Sequence, residues 1–287
     1  MKLREAEIET HAACNARCRY CVYPAIKDGL GRETLSRERF LDILHGLAFA
    51  RDDLVNIHLH HVNEPLLFPD LPWFVARARE AFPRARTGFS TNAILLSPQK
   101  AEAALKAGLN LIYLTVPSGQ PETYKRVMGI DADIARTLAN IRTFLSLAGE
   151  EVRVVARSPL GFDGRLQAFY ADFPRVELEA IPISSRLGRI DPETSPDLRQ
   201  PPSGGRPSPC ALSWVAGTLI ILRNGDVPLC CNDQEHRFIV GNVFERGVEA
   251  LWTSPRFEQV RAFMAARAPR PADFPCDACE YGLKEGA

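Results

Sequence analysis

Between residues 6 and 182 the chain passes six times from a short apolar run to an amphipathic stretch of helical period. Six βα units in series can bury their apolar faces only as a parallel sheet covered by helices. Strands are expected at residues 6–11, 55–61, 85–91, 110–116, 152–158 and 176–182. Helix ends are marked between them. Ser36 precedes the apolar series Phe40, Ile43, Leu44 and Leu47 as an N-cap, and Ser97-Pro98 opens a helix that Gly108 closes. Ile134, Leu138, Ile141 and Leu145 recur at helical spacing in the longest helix. Periodicity leaves open whether the sheet closes as a barrel or stays doubly wound.

In parallel α/β folds, chemistry collects where the strands end, at their carboxyl edge. The first strand runs there into Thr10-His-Ala-Ala-Cys-Asn-Ala-Arg-Cys-Arg-Tyr-Cys, which sets Cys14, Cys18 and Cys21 at CxxxCxxC spacing with Tyr20 beside the last thiol. A structural zinc site normally takes four ligands. Three thiolates instead suit a 4Fe–4S cube that keeps one iron free of protein and open to a substrate or cofactor. The remaining five of the eight cysteines, Cys210, Cys230, Cys231, Cys276 and Cys279, gather near the end of the chain, so two metal sites are expected. Disulfides are not, because the charged, alternating N-terminus carries no signal-peptide core and the protein is expected in the cytoplasm. Thirty-five basic residues balance thirty-five acidic ones, which argues against nucleic acid or an anionic membrane as a partner, and no stretch approaches a membrane span.

The spacing CxxxCxYC resembles the signature of the radical S-adenosylmethionine (SAM) superfamily. That resemblance implies a partial (β/α)6 barrel, a cluster whose open iron is chelated by the amino and carboxylate groups of SAM, and reductive cleavage of SAM to methionine and a 5′-deoxyadenosyl radical. Tyr20 would shield the cluster or pack on adenine. The second strand ends in Val62-Asn63-Glu64-Pro65, where the family usually carries Gly-Gly-Glu-Pro. By that likeness Asn63 and Glu64 would meet the SAM ammonium, with Glu64 as a turn cap the competing reading. Ser90-Thr91-Asn92 at the end of the third strand resembles the segment that bonds the SAM ribose and carboxylate. Arg157 and Arg186 are further candidates for SAM, Arg157 as a bidentate donor. His45, His58, His60 and His61 read as satisfied core histidines rather than metal ligands, His58 and His60 alternating along one strand.

The stretch 191–209, rich in Pro, Gly and Ser, reads as a linker between a barrel at 1–190 and a smaller α+β unit at 210–287. In that second unit the Asn224-Gly225-Asp226 turn between apolar runs predicts a hairpin bringing Cys210 toward Cys230. Cys210, Cys230, Cys276 and Cys279 would fully ligate a second site, either iron–sulfur or a zinc ribbon. With Gly-Asn-Val and Leu-Trp between them, the run resembles the SPASM/twitch extension of radical SAM proteins. No cysteine follows Cys279, so the resemblance implies one auxiliary 4Fe–4S cluster, ligated by Cys230 or its neighbour Cys231.

A fully ligated cluster cannot bind SAM, and in this family it is thought to take an electron from a substrate radical. The chain is thus similar to twitch-type aminocyclitol dehydrogenases. The expectation is an oxidoreductase acting on a small sugar-like alcohol, with Asp233 as a base or a turn carboxylate, and flavodoxin or ferredoxin as reductant. Two other readings stand beside it. One is a maturase or epimerase of ribosomal peptides, although only thirteen residues precede Cys14 where a leader-binding module would lie. The other is a zinc-bearing interaction protein without catalysis, which would be colourless near about 400 nm, where cysteine-ligated iron–sulfur clusters absorb.

Overall fold

Strand β1 (Glu5–Ile8) stands second from one edge of a seven-stranded parallel sheet, ordered β6-β5-β4-β3-β2-β1-β7. The others are β2 (Asn56–His58), β3 (Arg86–Thr91), β4 (Leu111–Thr115), β5 (Arg153–Ser158), β6 (Glu177–Ala180) and β7 (Thr218–Ile221). The structure, a computed structural model, describes residues 2–181, 183, 186–187, 189–190 and 216–264. Helices α1 (Tyr23–Ile26) and α2 (Arg37–Gly46) join β1 to β2, α3 (Leu71–Ala81) joins β2 to β3, and α4 (Pro98–Lys106) joins β3 to β4. Then α5 (Pro121–Met128) and α6 (Ile134–Leu147) join β4 to β5, and α7 (Gly164–Ala171) joins β5 to β6. The fold is α/β, a partial barrel.

The expected caps form. Ser36 accepts a hydrogen bond from the Arg39 amide at 3.2 Å, Ser97 from that of Lys100 at 3.3 Å, and Asp133 starts α6 by accepting from Ala135 at 2.8 Å. Each satisfies an amide that the first helical turn leaves without a partner.

Alternation along the strands gives the sheet two faces of opposite character. Ala6, Ile8, Ile57, Phe89, Ile112, Leu114, Val154, Ala156 and Leu219 are fully or almost fully buried in one apolar core shared with the helices. Burying a large aliphatic or aromatic side chain there contributes about 1.5–3 kcal/mol. The opposite face carries Glu5, Glu7, His58, Ser90, Tyr113, Thr115, Arg157 and Glu179, and its apolar residues include the small separate cluster of Leu111, Tyr113 and Val155. The polar face is the inside of the partial barrel.

One expectation is corrected. The Asn224-Gly225-Asp226 turn is present, with Gly225 at φ +90° and its amide donating to Leu222 at 2.8 Å. The Leu222 amide also donates to the Asp226 carbonyl at 2.8 Å, so the turn closes as a hairpin, but its flanking runs do not continue as a two-stranded ladder. Residues 218–221 pair in parallel with β1, Glu7 lying opposite Ile220, and β8 (Asp226–Pro228) pairs antiparallel with β9 (Ile239–Asn242). The reason is burial. All four residues of β7 are buried, which an exposed two-stranded hairpin cannot supply and the open edge of the sheet can. Three helices follow, α8 (Val243–Arg246), α9 (Val248–Trp252) and α10 (Pro255–Met264). Cys210, Cys276, Cys279 and the stretch 191–209 lie outside the described residues. No helix among the described residues is long and apolar enough to cross a membrane.

Candidate cofactor and substrate site

The cysteine loop leaves β1 and is moored on the end of α5. The amides of Arg17 and Arg19 donate to the carbonyls of Met128 and Val127 at 3.0 and 2.9 Å, which are among the groups a helix C-terminus leaves unpaired. Gly129 makes the approach possible. It ends α5 with φ +65°, and a Cβ at that position would run into the Arg17 carbonyl. Within the loop, the Cys14 amide donates to the Tyr23 hydroxyl at 3.0 Å and the Tyr23 amide to Cys21 Sγ at 3.4 Å.

Cys14, Cys18 and Cys21 are half-buried and carry no disulfide. Burial pushes all three thiols up, Cys14 to about 12, so a bare thiolate is disfavoured there. An iron cation that supplies the missing charge compensation would displace those protons, because only the thiolate ligates. Among the described residues no three ligating side chains close on a single-ion site. Three thiols on one loop suit a cube, in which each thiolate takes a different iron. The donor set fits the cluster. Tyr20 lies beside Cys18, its phenol pushed up by burial and then by that thiol.

Glu64 is buried, and its carboxylate ties the end of β2 to the end of β3. Oε1 accepts from Thr91 Oγ1 at 2.7 Å and from the Leu66 amide at 3.0 Å, and Oε2 accepts from the Asn92 amide at 2.9 Å. Burial outweighs these bonds and holds the carboxyl above the ordinary carboxylate range. Glu64 thus caps the 3-10 turn Pro65–Leu67 and orders the Thr91-Asn92 segment. The Asn92 side chain reaches Asn15 of the cysteine loop at 2.8 Å, and Asn63 reaches Thr10 and His11 at 3.3 and 3.2 Å. Three strand ends and the cysteine loop are therefore one hydrogen-bonded unit. Ser90 Oγ lies 3.2 Å from Thr115 Oγ1.

Arg157 lies further round the inner face. Its Nε donates to Glu179 at 2.7 Å and its guanidinium stands 3.6 Å from the centre of the Tyr113 ring. Arg186 donates to Asn232 Oδ1 at 3.2 Å, which brings the segment after β6 to the loop carrying Cys230 and Cys231. In that loop Asp233 is fully buried, and its oxygens accept from the Arg237 and Phe238 amides at 3.0 and 2.9 Å. Its carboxylate closes a turn.

Sequence reasoning read the histidines of this strand as satisfied core residues but missed the carboxylates that satisfy them on the inner face. Glu5 accepts from or pairs with His58 at 3.1 Å, and Glu7 meets His61 Nδ1 at 2.5 Å. On its other side His61 Nε2 lies 3.4 Å from Nε2 of His236. The available signal was the alternation Glu5-Ala6-Glu7-Ile8-Glu9, whose buried apolar members place three carboxylates on the opposite face.

The profile of the radical SAM superfamily matches residues 8–163, and that of an iron–sulfur cluster-binding domain, SPASM, matches residues 210–280. The chain belongs to the radical SAM superfamily. It is an enzyme of that superfamily, and its two domains imply iron–sulfur clusters and SAM. Along 263 residues it is 22% identical to the S-adenosyl-L-methionine-dependent 2-deoxy-scyllo-inosamine dehydrogenase of Niallia circulans, covering 90% of this chain and 85% of that protein. It is 34% identical over 143 residues to GTP 3′,8-cyclase of Xanthomonas axonopodis pv. citri (strain 306), covering 48% of this chain. The matched part spans only 42% of the cyclase's length. Among solved structures, BtrN in complex with AdoMet and 2-DOIA superposes with a TM-score of 0.67 at 18% identity, over 98% of this chain and 94% of that one. Native anSMEcpe with bound AdoMet and Cp18Cys peptide superposes with a TM-score of 0.66 at 10% identity, over 97% of this chain and 86% of that one. These superpositions establish the shared fold.

Proposed function

We propose that this radical SAM enzyme is an oxidoreductase that converts a secondary alcohol of a small, polar, sugar-like molecule to a ketone. When bound, the clusters and SAM would supply a 5′-deoxyadenosyl radical that abstracts hydrogen and an acceptor for the electron left on the substrate. Cys14, Cys18 and Cys21 would hold the first cluster, and Cys210, Cys230, Cys276 and Cys279 a single auxiliary 4Fe–4S cluster. Tyr20, Asn63, Ser90 and Asn92 would line the SAM pocket. Glu64 would orient that pocket through Thr91 and Asn92, to which it is already bonded.

The observation that carries the substrate class is the inner face of the barrel. Glu5, Glu7, His58, His61, Ser90, Thr115, Arg157 and Glu179 give it both donors and acceptors, as a polyhydroxylated or aminated ring requires and an apolar substrate does not. The near full-length match to an aminocyclitol dehydrogenase supports the same class. A reductant of the flavodoxin or ferredoxin type would feed the first cluster.

The test is a double variant, Cys276→Ala/Cys279→Ala, supplied with 2-deoxy-scyllo-inosamine and a set of related cyclitols. The wild type is expected to form ketone together with 5′-deoxyadenosine. The variant is expected to retain SAM cleavage and lose ketone. Normal turnover by the variant would remove the electron-accepting role. A wild type that modifies only peptides would move the assignment to the peptide-modifying class.

A further inference from the structure

We propose that Glu7, His61 and His236 form a proton relay on the inner face of the barrel, in which His236 accepts the hydroxyl proton of the substrate. This rests on the oxidoreductase reading above and adds to it the group that takes the proton. Glu7 belongs to β1, His61 follows β2 at the carboxyl edge of the sheet, and His236 comes from the loop after Cys230 and Cys231. They join the SAM-binding half to the segment carrying an auxiliary cysteine. His61 has 1% of its side chain exposed and Glu7 14%. The rings of His61 and His236 stack with centres 5.6 Å apart. His236 holds φ +56°, a left-handed backbone that residues other than glycine rarely adopt and that tends to persist where geometry serves function.

The hydrogen bonds fix the direction of the relay. The Glu7 carboxylate, 2.5 Å away, keeps the proton of neutral His61 on Nδ1, which leaves Nε2 as an acceptor. His236 then donates from Nε2 across 3.4 Å, and its own Nδ1 is left with a lone pair. No described residue bonds that atom. The charged and titratable groups facing the pair are Glu7 on β1 and Glu9 just after it, His58 and His60 on and after β2, Arg186, and Arg223 beyond β7. Burial lowers His61 but Glu7 outweighs it and raises it. Burial, then His61, holds His236 down at about 3. A proton entering at His236 Nδ1 therefore comes to rest on His61 beside Glu7, as His236 passes its Nε2 proton on.

The balance closes. The alcohol carbon gives its hydrogen atom to the deoxyadenosyl radical, the hydroxyl gives its proton to His236, and the last electron leaves to an iron–sulfur acceptor. One C–H and one O–H bond break and C=O forms. His236 is the catalytic base, and His61 and Glu7 position it and stabilise the charge.

The relay is testable without a substrate. Diethyl pyrocarbonate acylates the lone pair of a neutral imidazole, so the pH dependence of acylation at each histidine of the reconstituted enzyme can be followed by peptide mass spectrometry. His236 is expected to react only as pH rises through the titration of His61, because below it the His236 lone pair faces His61 and Nδ1 carries the proton. In Glu7→Gln the carboxylate no longer favours charged His61, and the midpoint for His236 should fall by about 1–3 pH units. An unreactive His236, or a midpoint unmoved by Glu7→Gln, would overturn the relay. A second measurement separates this proposal from the reading beneath it. His236→Gln should still transfer substrate hydrogen to 5′-deoxyadenosine while forming at most about a hundredth of the wild-type ketone, the usual scale of a lost acid–base group. Unchanged ketone yield would overturn the relay, whereas a wild type that forms no ketone would overturn the oxidoreductase assignment.

Discussion

Replacing Cys14, Cys18 and Cys21 together by alanine is expected to abolish 5′-deoxyadenosine formation and to remove about four irons per chain, one cube's content. The three thiols share a loop between residues 14 and 21 that is moored to α5 through the Arg17 and Arg19 amides. Those anchors are backbone groups, so the variant keeps the loop and loses only its ligands. A cube held by three thiolates has no ligand to spare, and each single variant is expected to lose SAM cleavage as well. Far-ultraviolet circular dichroism should match the wild type, and iron held by the C-terminal cysteines should stay. The measurement is iron and sulfide content alongside 5′-deoxyadenosine by chromatography. Retained SAM cleavage in the triple variant would place the cofactor elsewhere.

The largest effect on stability is expected at Arg223. Its guanidinium lies 2.6 Å from Glu9, with side-chain exposures of 7% and 0%. It also donates to the Leu30 carbonyl at 3.2 Å and pairs with Glu33 at 3.1 Å. One side chain thus joins the segments after β7 and β1 to the stretch between α1 and α2. Arg223→Ala would leave the Glu9 carboxylate buried without its counter-charge, an arrangement that costs about 3–5 kcal/mol. Replacing both partners by apolar residues of similar volume leaves no orphan charge and should recover most of that loss. Urea unfolding of the single and double variants checks both statements. A single variant as stable as the wild type would show the pair to be dispensable.

How far the sequence reaches depends on the separation of the groups involved. Each of the six barrel strands lies within a few residues of its expected span, because a strand buried by its own helix is specified by its own pattern. The cysteine triad is legible for the same reason, being contained in eight residues. Pairing between distant segments is not. Nothing in Thr218–Ile221 names β1 as its neighbour, and the adjacent turn points instead to a local hairpin. His61 and His236, 175 positions apart, meet only when β7 has brought the second segment to the barrel edge. Glu64 shows a different limit. Its place beside Pro65 and its cap on the Leu66 amide are local and readable, but its bonds from Thr91 and Asn92 arise only when β2 and β3 are side by side.

The most direct test of the account is release of 5′-deoxyadenosine by the anaerobically reconstituted wild-type protein given SAM and a strong reductant. The cysteine loop, its fit to an open cluster and the superfamily match all predict release. No release, from protein shown to hold iron and sulfide, would contradict the assignment of Cys14, Cys18 and Cys21 as the SAM-cleaving centre and leave the clusters as structural elements.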